Sequence, residues 1–126
     1  MQKLALLILL FTSLNLYSQI DYDRTPKQYF MVELIPNENA SLSGEEKKDI
    51  QRAHMKNIGL MVQNDQLVLA GPFPSGGGLF FLSVPTIEEA EELVKADPTV
   101  ANKLNTYQIR PFVTERGLFT LEQLKN

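Results

Sequence analysis

Cysteine is absent from the 126-residue chain, and histidine occurs once, at position 54. The absence of cysteine excludes disulfides, thiolate metal sites and attachment of a lipid at a bacterial lipobox. With one histidine, a strong metal site is not expected either, because such sites usually combine several histidines, cysteines or carboxylates. The chain must therefore hold together through core packing, and it has few side chains that could carry chemistry.

Basic clusters are also missing, and the net charge is −3. Proteins that bind nucleic acid carry basic patches that neutralise phosphates, so we expect no nucleic-acid partner. The glycine run at Gly76–Gly78 is not followed by Gly-Lys-Ser/Thr and does not open a predicted helix, which argues against a phosphate-binding loop. We expect neither a cofactor nor a metal.

Residues 1–18 differ from the rest of the chain. Lys3 is their one charge, an unbroken apolar run follows at Leu4–Phe11, and the segment ends at Ser18. This order is typical of a secretory signal peptide, and the run is shorter than the about 20 apolar residues that span a bilayer. We predict cleavage after Ser18, export to the periplasm or the medium, and no stable membrane span afterwards. An uncleaved anchor and a buried N-terminal helix are the alternatives.

The rest of the chain predicts one domain, since 108 residues suffice for an ordinary single core. Residues 19–27 are polar and form a linker, residues 28–113 form the domain, and residues 114–126 form a tail. Aromatic and β-branched runs predict four strands, at residues 29–35, 67–70, 79–84 and 107–113. The two prolines and four glycines of residues 71–78 predict a loop.

Two helices lie between these strands, and each begins with a capping-box pattern. The pairs are Ser43 with Glu46, and Thr86 with Glu89. The helices run to about Gln63 and to Asp97-Pro98. Apolar spacing predicts that each helix buries one stripe against a sheet. The predicted stripes contain Ile50, Ala53, His54, Ile58 and Met61 in the first helix, and Ile87, Ala90, Leu93 and Val94 in the second.

The resulting order is β-α-β-β-α-β, which predicts the α+β ferredoxin-like arrangement. In that fold both helices cover one face of a four-stranded antiparallel sheet. Pro111 lacks a donor N–H, so the last strand should lie at an edge or end nearby. The uncovered face of the sheet would be apolar, and a second copy of the chain is the simplest partner to cover it.

His54 and Asp97 are the residues most suited to chemistry, although periodicity alone favours structural roles for both. His54 lies on an apolar helix face, where a buried and hydrogen-bonded histidine is the commoner case. Asp97 precedes Pro98, a pairing that favours a helix cap. No Gly-x-Ser-x-Gly motif is present to supply a serine nucleophile.

The ordered set of short motifs resembles the YCII-related family from about Tyr29 to Val113. The set consists of His54, Gly71-Pro72, the glycine-rich loop, Glu88-Glu89-Ala90, Asp97-Pro98 and Ile109-Arg110-Pro111-Phe112. The resemblance implies a ferredoxin-like domain that pairs as a dimeric α+β barrel, with two sheets face to face. It further implies that His54 and Asp97 line a cleft. A few members of the family act on small aromatic or lactone-like compounds without a cofactor.

Two hypotheses follow. In the first, the protein is an exported, cofactor-independent lyase or isomerase-like enzyme, in which His54 is the general acid/base and Asp97 orients it. The expected ligand-binding residues are Gly71, Pro72, Phe73, Phe81 and Met61, with Phe30 as a further wall. In the second hypothesis, the protein is a non-catalytic dimeric module for small-ligand binding or association. Contact between His54 and Asp97 at a cleft favours the first hypothesis.

Overall fold

The structure is a computed structural model, and it describes residues 26–114. The predicted signal peptide, nearly all of the linker and all of the tail after Thr114 lie outside the described residues. Four strands and three helices are formed: β1 Lys27–Pro36, α1 Gly44–Gln63, β2 Leu67–Pro72, β3 Gly78–Leu82, α2 Ile87–Ala96, α3 Pro98–Ala101 and β4 Asn105–Thr114.

The strands form one antiparallel sheet in the order β2-β3-β1-β4. This order confirms the predicted ferredoxin-like fold, with β1 and β3 at the centre. Strand β4 lies at an edge and pairs with β1 along its full length, from Asn105 opposite Pro36 to Thr114 opposite Lys27. Pro111 therefore lies in an edge strand, as its missing N–H predicts.

The core lies between one face of the sheet and the helices. Alternate residues of the two central strands point toward the helices because side chains alternate across a strand. Phe30, Val32, Leu34, Phe80 and Leu82 are all buried in this way. They pack with Met61 of α1 and with Ala90 and Val94 of α2.

The helix predictions hold in outline and fail at particular residues. Ser43 and Glu46 form both hydrogen bonds of the predicted capping box. At Thr86 the hydroxyl accepts from the amide of Glu89 at 3.2 Å, but residues 26–114 show no return bond from the Glu89 side chain. Ala53 was predicted to be buried and is exposed, because it lies about 100° around the helix from the buried His54.

The predicted glycine-rich loop is shorter than the sequence suggested. Strand β2 continues through Pro72 and β3 begins at Gly78, so that these two residues pair across a hairpin. Gly76 and Gly77 form its turn with φ of 96° and 74°, a region that favours glycine. A Cβ at Gly77 would stand 2.1 Å from the backbone oxygen of Leu34. The glycine run is thus needed for the close approach of two backbones.

Among residues 26–114, no helix has the length and apolar character needed to cross a membrane. The longest, α1, has 20 residues but carries several charges, including Glu45, Lys48 and Arg52. The apolar run at Leu4–Phe11 lies outside the described residues.

Replacing Gly77 with alanine should destabilise the protein by about 1–3 kcal/mol, because φ is positive and the added Cβ collides with the backbone of β1. Urea unfolding measures the loss. Gly59→Ala is the matched control, since Gly59 lies within α1 with no atom within 4 Å of a new Cβ. That change should stabilise by roughly 0.5–1 kcal/mol. Equal unfolding midpoints for Gly77→Ala and the wild type would contradict the close approach.

A candidate active site at the His54–Asp97 pair

The structure brings His54 and Asp97 into contact across two helical elements. His54 lies midway along α1, on the face turned toward the sheet. Asp97 lies between α2 and α3, where it ends one helix and caps the next. Asp97 is fully buried and His54 is nearly so. Because α1 packs against α3, two residues far apart in the sequence become neighbours.

The carboxylate of Asp97 accepts hydrogen bonds from three residues. Nδ1 of His54 lies 2.8 Å from Oδ2 and 3.0 Å from Oδ1. Nδ2 of Asn57 donates to Oδ2 at 3.0 Å. Thr99 donates twice to Oδ1, through its backbone amide at 3.0 Å and its hydroxyl at 2.6 Å. Both oxygens of this buried carboxylate are therefore satisfied.

These bonds determine the charge of the carboxylate. Burial is the largest influence and by itself raises the pKa of Asp97, but the hydrogen bonds from His54, Thr99 and Asn57 and the charge of the His54 ring outweigh it. The pKa of Asp97 therefore lies below its usual value, and the group is ionised at neutral pH. Since a carboxylate can only accept, Nδ1 of His54 must carry a proton. In the neutral ring, Nε2 then presents its lone pair.

The second nitrogen of His54 remains accessible. The side chain is 11% exposed, and no hydrogen-bond partner for Nε2 exists among residues 26–114. No fully buried side-chain nitrogen or oxygen in that part of the chain lacks a partner, so Nε2 must reach solvent. The ring stacks on Phe80 with centroids 5.7 Å apart and planes inclined by 19°. The pair is therefore a largely buried site with limited contact to solvent at the His54 ring.

Two of the predicted ligand-binding residues line a common cleft beside this site. Gly71 and Pro72, at the end of β2, border a cleft of about 260 Å³ between the β2–β3 hairpin and α1. Phe80 borders the same cleft. His54 stacks on Phe80 but is not itself among the residues that line the cleft.

The other predicted residues lie elsewhere. Met61 and Phe30 are buried in the core, with 2% and 1% of their surface exposed. Phe73 is part of the hairpin turn and is 38% exposed. Phe81 points to the opposite face of the sheet, where it contacts Tyr29. None of these four residues lines the cleft that Gly71 and Pro72 border.

A metal centre would need several ligating side chains close together. In the part of the chain that the structure describes, no group of three or more histidine, aspartate or glutamate side chains is placed to hold an ion. The neutral Asn57 and Thr99, and not further carboxylates, surround Asp97.

Residues 29–113 match the YCII-related domain. The chain belongs to the YCII-related domain family. No curated protein sequence matches the chain. Among solved structures, a similar fold occurs in the 5-chloro-2-hydroxyhydroquinone dehydrochlorinase of Burkholderia phenoliruptrix AC1100, in complex with 2,5-dihydroxybenzoquinone. The TM-score is 0.54 at 13% identity, over 65% of this chain and 90% of that one.

Asn57 and Thr99 are the members of this YCII-related site that sequence reasoning missed. Both left a signal. Asn57 follows His54 by three positions and so shares its helix face. Thr99 stands two positions after Asp97, where an N-cap carboxylate is expected to meet a backbone amide. Neither signal names the partner, because the contact between α1 and α3 depends on the tertiary structure.

Because the pKa of Asp97 is lowered on folding, its stabilising contribution is complete above the unfolded-state value of about 3.9. The contribution is lost as the pH falls through the lower folded-state value. We expect Asp97→Asn to lower the free energy of unfolding by about 1–3 kcal/mol at pH 7. The variant should also lose less stability than the wild type when acidified.

Urea unfolding across a pH series measures both effects. Asp49→Asn is the matched control, because Asp49 pairs with Arg52 on the exposed face of the same α1 helix. Such surface pairs contribute about 0–1 kcal/mol, so little change is expected. The same pH dependence in Asp97→Asn and the wild type would contradict the assignment.

Proposed function

We propose that this YCII-related domain catalyses a cofactor-independent proton transfer on a small organic molecule, as a lyase or an isomerase, with His54 as general acid/base. The proposal rests on the different surroundings of the two nitrogens of the His54 ring. Nδ1 is held by a buried, ionised carboxylate at 2.8 Å, whereas Nε2 has no protein partner among residues 26–114 and reaches solvent.

In the proposed reaction, the Nε2 lone pair of His54 takes a proton from the substrate. The imidazolium that forms is stabilised by the adjacent carboxylate of Asp97. The ring then returns the proton, either to another substrate atom in an isomerisation or to a leaving group in an elimination. Asn57 and Thr99 act on Asp97, since their hydrogen bonds keep it ionised and oriented.

The structural neighbour supports an enzymatic role without identifying the substrate. It is named a dehydrochlorinase of a chlorinated hydroxyhydroquinone and was solved with a dihydroxybenzoquinone. At 13% identity the likeness establishes the fold alone. We therefore expect a substrate of similar size, a single substituted ring, and draw no conclusion about its identity.

His54→Asn separates catalysis from folding. The side-chain amide of asparagine can replace Nδ1 as the donor to Asp97, but nothing replaces Nε2. We expect turnover to fall by about 100-fold or more, which is the usual contribution of a general acid/base. The free energy of unfolding should fall by only about 1–2 kcal/mol, through lost packing on Phe80.

The assay is loss of a substrate C–H signal in D2O, followed by NMR, over a panel of single-ring hydroxyquinones and lactones. Ala53→Leu is the control, since Ala53 adjoins His54 in the chain but is exposed on α1. Wild-type turnover by His54→Asn would refute the proposed role of the histidine.

A second candidate function, association, is favoured by the face of the sheet opposite the helices. Phe81 contacts Tyr29 and Phe112 there, with ring centroids 5.2 and 5.4 Å apart and the Phe112 ring edge-on. They border a cavity of about 290 Å³ whose lining is apolar throughout. We propose that a second copy covers this face and forms a homodimer, which is compatible with catalysis in each protomer.

Sedimentation velocity at micromolar concentration tests the dimer. We expect the wild type to sediment as a dimer and Phe112→Lys as a monomer, because a lysine would bury an unpaired charge in the interface. Ile87→Lys is the control. Ile87 is similarly exposed, at 38% against 42% for Phe112, but it is the first residue of α2, in the helical layer. A monomeric wild type would contradict the dimer.

We also propose that the protein acts outside the cytoplasm, in the periplasm or the medium. The support is the order of Lys3, the apolar run Leu4–Phe11 and Ser18. Cell fractionation followed by N-terminal sequencing should find an exported protein that begins at Gln19. A mature protein that retains Met1 would contradict cleavage.

A further inference from the structure

The cleft beside the histidine has apolar walls and polar groups at its rim. It lies at the end of the sheet where β2 ends and β3 begins, and α1 passes over it. Its apolar walls include Leu34, Met55, Ile58, Leu79 and Phe80. Met55 is 57% exposed, and its unbranched side chain can adapt to the shape of a bound molecule.

Two side-chain amides of the cleft are free to bind a ligand. Gln51 of α1 and Asn105 of β4 both border it. Within residues 26–114, neither amide takes part in a hydrogen bond. Each amide offers both a donor and an acceptor. Convergent polar groups on an apolar concave surface are typical of small-molecule sites.

Charge is missing from the cleft. None of its described lining residues is an aspartate, glutamate, lysine or arginine. A charged ligand would lose hydration there without gaining a counter-charge, and that loss is unfavourable. A neutral ligand with hydroxyl or carbonyl groups would instead satisfy the two amides.

The volume limits the ligand to about one ring. A cavity of about 150 Å³ accommodates benzene, and typical ligand pockets begin near 300 Å³. The cleft, at about 260 Å³, lies between these values. It can enclose a substituted six-membered ring, whereas a nucleotide or a peptide would extend beyond it.

We infer that this cleft binds an uncharged, single-ring molecule carrying hydroxyl or carbonyl groups, held by the amides of Gln51 and Asn105. This binding site goes beyond the proposed reaction, because His54 is not among the residues that line the cleft and binding itself requires no proton transfer. Phe80 connects the cleft with the candidate active site, since it lines the cleft and its ring stacks with that of His54.

Ala70→Leu tests the inference by filling the cleft. Ala70 lines the cleft and pairs with Phe80 across the hairpin, so its side chain points to the same face of the sheet. Ala53→Leu is the matched control, because it adds the same side chain at an exposed position of α1 outside the cleft. Calorimetry and NMR titration of the full chain with resorcinol, a neutral diol, measure the affinity.

We expect resorcinol to bind the wild type and Ala53→Leu equally and Ala70→Leu about tenfold or more weakly. Benzoate and benzylammonium, which match its size but carry a charge, should bind the wild type about tenfold more weakly than resorcinol. No saturable binding of resorcinol, unchanged binding by Ala70→Leu, or equal binding of the charged probes would each overturn the inference.

The same titration on His54→Asn distinguishes failure of this inference from failure of the proposed function. Resorcinol should bind that variant with little change, because His54 does not line the cleft. If resorcinol fails to bind the wild type while His54→Asn still abolishes turnover, the cleft assignment is wrong and the role of His54 stands. If resorcinol binds as expected while His54→Asn retains wild-type turnover, the cleft assignment is supported and the proposed role of His54 is wrong.

Discussion

One buried carboxylate determines how the helical layer of this protein is arranged. Asp97 is fully buried and receives hydrogen bonds from His54 and Asn57 of α1 and from Thr99 of α3. A buried charge without partners would be strongly destabilising, so these donors must be in place whenever the native fold forms. The same residue ends α2 and begins α3. Its bonds thereby fix α1 against the α2–α3 junction.

The chemistry of the site follows from this constraint. An ionised Asp97 requires a proton on Nδ1 of His54, and that requirement leaves Nε2 as the accepting nitrogen of the neutral ring. Stacking on Phe80 helps to fix the plane of the His54 ring, and Phe80 also lines the neutral cleft. Stability and proposed catalysis therefore depend on the same few bonds.

The fold could be predicted from local patterns, since apolar strands, helix caps and proline positions together give βαββαβ in order. The site could be predicted only through resemblance to the YCII-related family, because no local pattern connects His54 with Asp97 across separate helices. Within β3 the sequence could not show which of Phe80 and Phe81 faces the helices, because the two adjacent residues are both phenylalanine. The predicted ligand residue Phe81 lies on the far face, whereas Phe80 contacts His54.

Ionised Asp97 holds His54 in one tautomer, with the proton on Nδ1 and Nε2 accessible. Nitrogen-15 NMR of the His54 ring measures this directly, through long-range couplings to its carbon-bound protons, at a pH where the ring is neutral. We predict a single Nδ1–H tautomer in the wild type and a mixture or the opposite tautomer in Asp97→Asn. A wild-type ring protonated on Nε2 would contradict the account.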